Sequence, residues 1–280
     1  MNIKVLRQYL LPHHALSRLS GKIANCRWKW WKNWVIKHFI KRYGVDMTIA
    51  QLENSEDYSD FNNFFTRALK PEARPIVKDP NAIASPVDGT VSQIGCIQED
   101  SLIQAKGFHF SLQGLLGGAP RIAKQFENGY FSTIYLSPKD YHRVHMPIRG
   151  TLTHSIYIPG KLFSVNPLTT STVPSLFSRN ERLVCLFETE VGPMAVILVG
   201  AMLVASINTT WRTASVSTTV TTSLPPYPVV LERGAELGHF KLGSTVIVLF
   251  PKDTIKWESM IKEGSSVQMG QLVGSIQQKK

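Results

Sequence analysis

Three short segments of the chain carry side chains that could do chemistry together. Asp88 precedes a glycine, His145 lies three residues after His142, and Ser244 follows Gly243 in a Leu-Gly-Ser-Thr run. An acid, a base and a hydroxyl form the trio that turns an inert serine into a nucleophile. Taken singly, the segments have plainer interpretations: an Asp-Gly turn, structural histidines or part of a metal site, and a turn into a strand. Spacing alone does not bring the three side chains together.

The residue before Ser244 favours self-cleavage over hydrolysis of a separate substrate. The run lacks the GxSxG pattern of the hydrolases. Gly243 allows unusual backbone torsions and leaves its carbonyl unshielded, which suits attack by the next hydroxyl on the preceding peptide bond. Two alternatives stay open: a serine hydrolase that keeps its chain intact, and a membrane-binding module without catalysis.

The net charge of +11 is concentrated at the start of the chain. Residues 1–43 contain ten basic and no acidic residues, and they hold four of the six tryptophans. Tryptophan favours the membrane interface, and each Lys or Arg near anionic lipid contributes roughly 1 kcal/mol. We therefore expect docking on an anionic membrane surface; a solvated basic helix or a nucleic-acid arm is the alternative. These residues are Lys4, Arg7, Arg18, Lys22, Arg27, Lys29, Lys32, Lys37, Lys41 and Arg42, with Trp28, Trp30, Trp31 and Trp34.

Hydrophobic spacing predicts two parts in an α+β protein. Residues 1–70 have helical periodicity, and residues 71–80, with three prolines, are typical of a linker. The remainder, 71–280, is predicted to be a β-rich domain with one helix near 112–126. One helical face is expected to carry Trp31, Trp34, Val35, His38 and Phe39. The predicted strands are 89–94, 130–136, 150–157, 183–189, 194–198, 202–207 and 245–250.

No segment predicts a membrane-spanning helix or a signal peptide. Residues 191–211 carry no charge, but Gly192, Pro193 and Gly200 interrupt them and β-branched residues enrich them, so they are predicted to form two buried strands. The three cysteines show no CxxC or CxxH spacing, which fits a reducing, cytosolic setting without a disulfide framework or a zinc ribbon.

Two segments far apart in the chain are similar to each other. Residues 85–91 and 262–274 both look like halves of a biotinyl- or lipoyl-type barrel-sandwich. No Met-Lys-Met carrier tip is present, so the similarity indicates a fold and not a carrier function. The β core is therefore expected to have barrel-sandwich character.

The three chemical segments resemble the signatures of the pyruvoyl-dependent phosphatidylserine decarboxylases of the prokaryotic type. The run 242–245 (LGST) is similar to that family's cleavage motif, and the runs 142–147 and 86–89 look like its other two signatures. The resemblance extends over nearly the whole chain. It includes the runs 61–67, 157–166 and 180–182.

The resemblance implies that a precursor cleaves itself before Ser244 into a β chain, 1–243, and an α chain, 244–280, which stay associated. In the roles that this resemblance implies, Asp88 orients His145 and favours its charged form, and His145 takes the Ser244 proton. Ser244 Oγ attacks the preceding carbonyl to form an ester. Elimination and hydrolysis then leave the covalent cofactor, a pyruvoyl group derived from Ser244.

The resemblance also implies the reaction, a carboxy-lyase conversion of phosphatidylserine to phosphatidylethanolamine and CO2 through a Schiff base with the pyruvoyl group. His142 matches a histidine associated with decarboxylation, so it is expected to position the substrate carboxylate or to reprotonate the product. Phe108, His109 and Phe110 are candidates for an apolar mouth for the acyl chains, with ordinary core residues as the alternative.

The implied partners are phosphatidylserine, an anionic membrane and a second copy of the chain. The membrane is the cytoplasmic side of the cell membrane, where the protein is expected to be peripheral, and the second copy would form a homodimer. No nucleic acid and no metal is expected. The nearest rival, a pyruvoyl decarboxylase for a soluble amino acid, would have no use for the basic, Trp-rich residues 1–43.

Overall fold

The computed structural model describes residues 13–105, 107–201, 207–211, 217–225, 227–240 and 244–277. The described helices are α1 (His13–Ala24), α2 (Lys29–Tyr43), α3 (Phe61–Phe65), α4 (Leu112–Leu115), α5 (Pro120–Ala123), α6 (Pro167–Thr170) and α7 (Leu176–Arg179), with a 3-10 turn at Pro71–Ala73. The described strands are β1 (Ala82–Ala84), β2 (Gly89–Cys96), β3 (Ser101–Ala105), β4 (Phe108–Ser111), β5 (Tyr130–Leu136), β6 (Arg143–His145), β7 (Gly150–Ile158), β8 (Arg182–Thr189), β9 (Gly192–Gly200), β10 (Ile207–Thr209), β11 (Thr221–Ser223), β12 (Val230–Leu231), β13 (Glu236–Phe240), β14 (Ser244–Phe250), β15 (Ile255–Trp257), β16 (Ser266–Val267) and β17 (Leu272–Ile276). The fold mixes helices and sheets and is mostly β.

A nine-stranded sheet forms the centre of the protein. Its order is β11-β7-β8-β9-β14-β5-β2-β16, with β12 also paired to β7, and its described pairs are antiparallel. Smaller sheets join β1-β17-β15, β10-β13-β6 and β3-β4. The described strands do not close into a barrel. The two similar segments seen in the sequence are neighbours, because β16 pairs with the start of β2.

Strand β14 lies between β9 and β5 and is buried on both faces. Val246 and Val248 face one hydrophobic cluster, and Ile247 and Leu249 face another. A strand covered on both sides has no polar face, which explains its uninterrupted apolar run. The predicted cut would place this central strand in the α chain and both of its neighbours in the β chain.

Most predicted strands are confirmed, within one or two residues at either end. The uncharged segment 191–211 contains β9 and β10, as predicted, and among the described residues no helix has the length and hydrophobicity to cross a membrane. The single helix predicted at 112–126 was wrong, since two helices of four residues occupy that region. The strand predicted at 202–207 lies outside the described residues except for its last position.

The N-terminal helices pack on α3 through an aromatic cluster. Phe39 of α2 contacts Phe61, Phe64 and Phe65 edge-on, at ring-centroid distances of 5.1–6.0 Å. Asp60 caps α3 by accepting a hydrogen bond from the Asn63 amide at 2.9 Å. The helical region is thereby joined to the residues that lead into the sheets.

The residues predicted to share one face of α2 divide between protein and solvent, since Val35 and Phe39 pack on the aromatic cluster. Trp34 and His38 are exposed and stack on each other, whereas Ile36 and Lys32 are buried. Lys32 tolerates burial because its Nζ donates to the Glu56 carbonyl at 2.8 Å. Trp28, Trp30 and Trp34 therefore face outward while Trp31 is half-buried, and one of the ten basic residues is removed from the surface.

Candidate active site

Ser244 is the first residue of the central strand β14. Its backbone lies opposite Leu136 of β5 and Gly200 of β9. The residue before the predicted cut, Gly243, lies outside the described residues. Four residues upstream, the Phe240 amide donates to the His142 carbonyl at 3.1 Å. Because four residues span at most about 14 Å, Ser244 starts its strand close to the segment that carries both histidines.

His145 ends strand β6 and is 8% exposed. Its Nδ1 lies 2.8 Å from the Gly234 carbonyl, which can only accept, so the proton of the neutral ring is assigned to Nδ1. Nε2 then carries the lone pair and lies 3.1 Å from the Tyr141 hydroxyl. Burial lowers the pKa of His145 and the Gly234 carbonyl opposes this. The ring is thus a neutral base with a defined tautomer.

The hydroxyl that meets His145 is held in its protonated form. Burial raises the pKa of Tyr141 far above that of an exposed tyrosine. The phenol therefore donates to His145 Nε2. Because it occupies the lone pair of that nitrogen, any other proton donor to Nε2 must displace the phenol or act through it. The sequence placed this tyrosine in the histidine run without giving it a role.

Asp88 does not hydrogen-bond to His145 in the described structure, contrary to the predicted arrangement. Both nitrogens of His145 have other partners, and the Asp88 carboxylate is bound by Arg74 Nε at 2.8 and 3.0 Å and by the Met269 amide at 2.8 Å. An aspartate is drawn to the nearest guanidinium because a fork-shaped donor satisfies both carboxylate oxygens. The Gly234 carbonyl, not Asp88, orients the imidazole.

Asp88 is nevertheless close to His145 through the backbone. The His145 amide donates to the Pro86 carbonyl at 2.8 Å, so the loop before β2 is bonded to the strand that ends in the histidine. Asp88 is also among the charged groups whose field acts on the imidazole. The structure therefore gathers the Asp88 loop, the His145 strand and the start of the Ser244 strand into one region.

His142 is fully buried and stacked on an aromatic ring. Its imidazole lies 4.0 Å from the Phe65 ring, centroid to centroid, at an interplanar angle of 22°. Neither ring nitrogen forms a hydrogen bond of normal geometry among the described residues, although the nearby carbonyls of Ser137 and Pro138 raise its pKa. Burial outweighs them and lowers the pKa of His142 to about 3, so the ring is neutral at pH 7.

Arg67 holds the histidine loop from the helical side. Its Nη2 donates to the Lys139 carbonyl at 2.9 Å, while Nε and Nη1 have no hydrogen-bond partner among the described residues. A second hydrogen bond joins the same two segments, because Arg143 Nε donates to the Thr66 carbonyl at 2.9 Å. The segment that follows α3 therefore fixes the loop on either side of His142.

Comparison with known sequences identifies the family. A family model described as phosphatidylserine decarboxylase matches residues 61–275, and a second, described as PSD, matches residues 3–44. The chain belongs to the phosphatidylserine decarboxylase family. Two curated relatives, each called phosphatidylserine decarboxylase proenzyme, come from Pseudomonas putida and Ectopseudomonas mendocina. The first is 56% identical over 275 residues, 95% of each chain, and the second is 54% identical over 279 residues, 98% of each chain. The resemblance of the motifs to this family is thus confirmed.

A cavity of about 210 Å³ lies against strands β2 and β5 of this decarboxylase-family fold. Its lining includes Tyr135, Val165 and Phe177. Tyr135 is the register partner of Thr245, the residue after Ser244. A space of this size, next to the strand that pairs with β14, could receive part of an acyl chain but not a whole phospholipid.

The three residues expected at an apolar mouth are consecutive in β4 but have different surroundings. Phe110 is buried and packs edge-on against Phe177, at 5.5 Å between ring centroids. His109 is exposed and lies 3.1 Å from the Ser101 hydroxyl through Nδ1, and Phe108 is half-buried. None of the three is among the residues that line the cavity; Phe110 supports it from behind through Phe177.

Sequence reasoning missed the residues that hold the site together. Arg74 lies in the proline-containing stretch, Gly234 is one glycine among nineteen, and Arg67 and Phe65 belong to the helical part. The family resemblance of the run 61–67 was the one signal that pointed to the last two. Of the described residues, none form a group of three or more His, Cys, Asp or Glu suited to a metal ion.

Proposed function

We propose that the chain is a precursor that cuts itself between Gly243 and Ser244 and then decarboxylates phosphatidylserine to phosphatidylethanolamine with the pyruvoyl group formed from Ser244. One observation carries the proposal. Ser244 begins the buried central strand, and Phe240, four residues earlier, is hydrogen-bonded to the segment that contains both histidines. In that segment His145 is neutral with a defined tautomer, and His142 is buried. The family and its proenzyme relatives support the reaction.

In the first stage, His145 is the base for self-cleavage. Nε2 accepts the Ser244 hydroxyl proton, with Tyr141 either giving up its hydrogen bond to that nitrogen or passing the proton on. Oγ bonds to the Gly243 carbonyl carbon, the peptide C–N bond breaks, and its nitrogen is protonated, leaving an ester. Loss of the Ser244 α-proton expels the Gly243 carboxylate, and hydrolysis of the resulting dehydroalanine releases ammonia and leaves the pyruvoyl group.

We also propose that Asp88 assists self-cleavage. In the described structure its carboxylate is paired with Arg74, so a direct hydrogen bond to His145 would require that pair to open. Its position in the loop bonded to the His145 amide gives a second way to act, by fixing where the imidazole lies. Asp88→Ala is expected to impair cleavage in either case.

In the second stage, the pyruvoyl group condenses with the substrate amine and withdraws the electrons released with CO2. The fit of the site to this role rests on buried polar atoms that form no hydrogen bond of normal geometry with the described residues: both nitrogens of His142 and two of Arg67. Buried polar atoms without partners are costly, and a substrate headgroup would satisfy them. His142 either positions the carboxylate or returns a proton to carbon. An arriving anion raises the pKa of its imidazole and allows the protonated form.

The two products of the cut should stay together. Strand β14 would belong to the α chain, yet it pairs along its length with β5 and β9 of the β chain. β16 pairs with β2 and β17 with β1 across the same division. We propose that this last region, where the similar segments 85–91 and 262–274 meet, is the barrel-sandwich part of the fold. A homodimer is proposed from the family resemblance.

Intact mass of the purified protein tests the central proposal. We expect two chains, a β chain ending at Gly243 and a 37-residue α chain that resists Edman degradation because its amino end is a pyruvoyl group. A single chain with decarboxylase activity would contradict the proposal. A single chain with esterase activity would favour the serine hydrolase alternative.

The N-terminal helices are proposed to dock the protein on the cytoplasmic face of the cell membrane. Trp28 and Trp30 are each 69% exposed and Trp34 is 59% exposed, so large apolar rings stand in water in the free protein. The exposed basic residues around them include Arg27, Lys29 and Lys41. Phosphatidylserine is both the anionic lipid that attracts these charges and the compound consumed, so docking concentrates enzyme on substrate.

Neutralising Arg27, Lys29 and Lys41 with glutamine should weaken binding to vesicles that contain phosphatidylserine. At roughly 1 kcal/mol per charge, three charges predict about a 100-fold loss of affinity at low salt. Activity on vesicles should fall accordingly, while activity on detergent-dispersed substrate should change little. Lys32 and Lys37 are left intact because the first is buried and the second pairs with Glu56 at 2.7 Å, whereas Arg27 is 79% exposed and approaches Asp60 only to 3.9 Å.

The matched control replaces three exposed lysines of the β-rich part, Lys124, Lys256 and Lys262, with glutamine. It removes the same charge from the rest of the molecule and should leave vesicle activity nearly unchanged. Equal losses in the two assays for the N-terminal variant would mean that this segment supports the fold or the site, and would refute the docking proposal. So would equal losses of vesicle binding in the two variants.

A further inference from the structure

The Asp88 carboxylate is a meeting point of three chain segments. Arg74 binds it through Nε and Nη2, and the Met269 amide donates to Oδ1 at 2.8 Å. The Arg74 and Asp88 side chains are only 10% and 9% exposed. A guanidinium that contacts both carboxylate oxygens fixes orientation as well as distance, which a single-point cation such as lysine does not.

The same contacts cross the predicted cut. Arg74 and Asp88 lie in residues 1–243, whereas Met269 lies in residues 244–280. The crossing continues beyond the carboxylate: the Val77 amide donates to the Gly270 carbonyl at 2.9 Å, and the Gly270 amide donates to the Ser85 carbonyl at 3.0 Å. The proline-containing stretch is therefore anchored on the future α chain.

The electrostatic surroundings of His145 depend on this pair. The loop that ends in Asp88 is bonded to the His145 amide through the Pro86 carbonyl. The Arg74 guanidinium compensates the Asp88 charge, which would otherwise act on the imidazole through a partly buried, weakly screened path. Among the described residues, the titratable and charged groups that act on the imidazole are Tyr141, Glu236, Arg143 and Asp88.

We propose that Arg74 is a positioning residue for self-cleavage: it fixes the Asp88 carboxylate against the turn at Met269 and compensates its charge beside His145. The inference rests on the proposed cut at Ser244. Arg74 acts through Asp88 and not by contact with the scissile bond. It ties the Asp88 loop, the His145 strand and the α-chain turn into one arrangement before the cut.

The pH dependence of self-cleavage of freshly purified precursor tests this role. His145 must be neutral to accept a proton, so the rate falls as the pH drops through its pKa. Arg74→Gln leaves the Asp88 charge uncompensated and raises the pKa of His145. We expect the acid limb of the profile to move to higher pH by about 0.5 to 1 unit. Arg74→Lys keeps the positive charge but cannot contact both carboxylate oxygens in the same way. Cleavage by this variant should therefore be slower, while the acid limb of its pH profile stays at the same pH as in the natural protein.

The control is Arg149→Gln, which breaks the exposed ion pair with Glu232 and should change neither rate nor profile. A purely structural Arg74 would lower the rate at every pH without moving the limb, and that result would overturn the proposal, as would an unchanged rate and profile. Thermal melting shows whether Arg74→Gln folds. If it does not, Arg74→Lys decides, since a displaced limb in that variant would also overturn the proposal.

Failure of this inference can be told apart from failure of the proposed function. If the Ser244→Ala precursor is still cut at the same bond, the cleavage proposal itself fails whatever Arg74 does. If Ser244→Ala blocks the cut and Arg74→Gln leaves the acid limb in place, only the role of Arg74 is wrong.

Discussion

We expect the Ser244→Ala variant to remain a single chain of 280 residues without decarboxylase activity. The substitution removes the hydroxyl that attacks the Gly243 carbonyl and the atom through which the pyruvoyl group is made. Without either, the loss should be complete within the limits of the assay. Denaturing gel electrophoresis follows the cut, and release of CO2 from phosphatidylserine follows the activity.

The variant should stay folded, because Ser244 opens a strand whose backbone pairs with β5 and β9 whatever its side chain. Ser266→Ala is a matched control: it makes the same change at an exposed strand position in the predicted α chain, and it should be cut and active. Cleavage of Ser244→Ala at the natural bond would remove the self-processing mechanism. An uncut but active Ser244→Ala protein would remove the pyruvoyl group from the reaction.

The sequence predicted the parts of the fold that depend on local pattern. Strand β5 was placed residue for residue, and β14 to within one residue, because long uncharged runs bounded by turn residues have few alternatives. Residue types marked Ser244 and His145 as candidates, and the family resemblance then supplied their expected roles and that of His142. What pattern could not give was the partner of a charged group, since partners are set by tertiary contacts.

Asp88 shows this limit most clearly. Acid, base and hydroxyl suggested a relay from Asp88 to His145, but fourteen residues before the aspartate an arginine takes the carboxylate, and a backbone carbonyl takes the histidine. Every residue has a backbone carbonyl, so the sequence does not indicate which one will accept a hydrogen bond from the histidine. An arginine in a proline-containing stretch looks like a solvated linker residue until the fold brings it inward.

Helix α2 shows a second limit, in the direction its faces point. Periodicity placed Trp34 on one helical face with Val35 and Phe39 but did not show what that face would contact. In the structure Val35 and Phe39 pack on protein, whereas Trp34 is 59% exposed. Hydrophobic spacing does not distinguish a face that packs on protein from one that enters a membrane, so the pattern gave the helix and not its environment.

The two histidines of the same run should separate when each is replaced. We expect His142→Ala to be cut into two chains and to lose about 10² to 10⁴-fold in turnover of phosphatidylserine, the usual contribution of a positioned acid or base. His145→Ala should accumulate as the uncut precursor. The two histidines differ in their surroundings. The His145 base nitrogen has a defined lone pair for the Ser244 proton, whereas His142 is stacked on Phe65 and neither of its nitrogens forms a hydrogen bond of normal geometry with the described residues.

His142→Phe separates chemistry from packing, because it keeps an aromatic ring to stack on Phe65 and removes both nitrogens. It should be cut and remain as inactive as His142→Ala. His154→Ala, at a half-buried histidine of β7, is the control and should be processed and active. An uncut His142→Phe precursor would move His142 into the maturation step, and turnover within a few-fold of the natural protein would exclude it from decarboxylation. Full processing of His145→Ala would in turn show that another group takes the Ser244 proton, and Tyr141, the hydroxyl bonded to the same nitrogen, would be the next residue to replace.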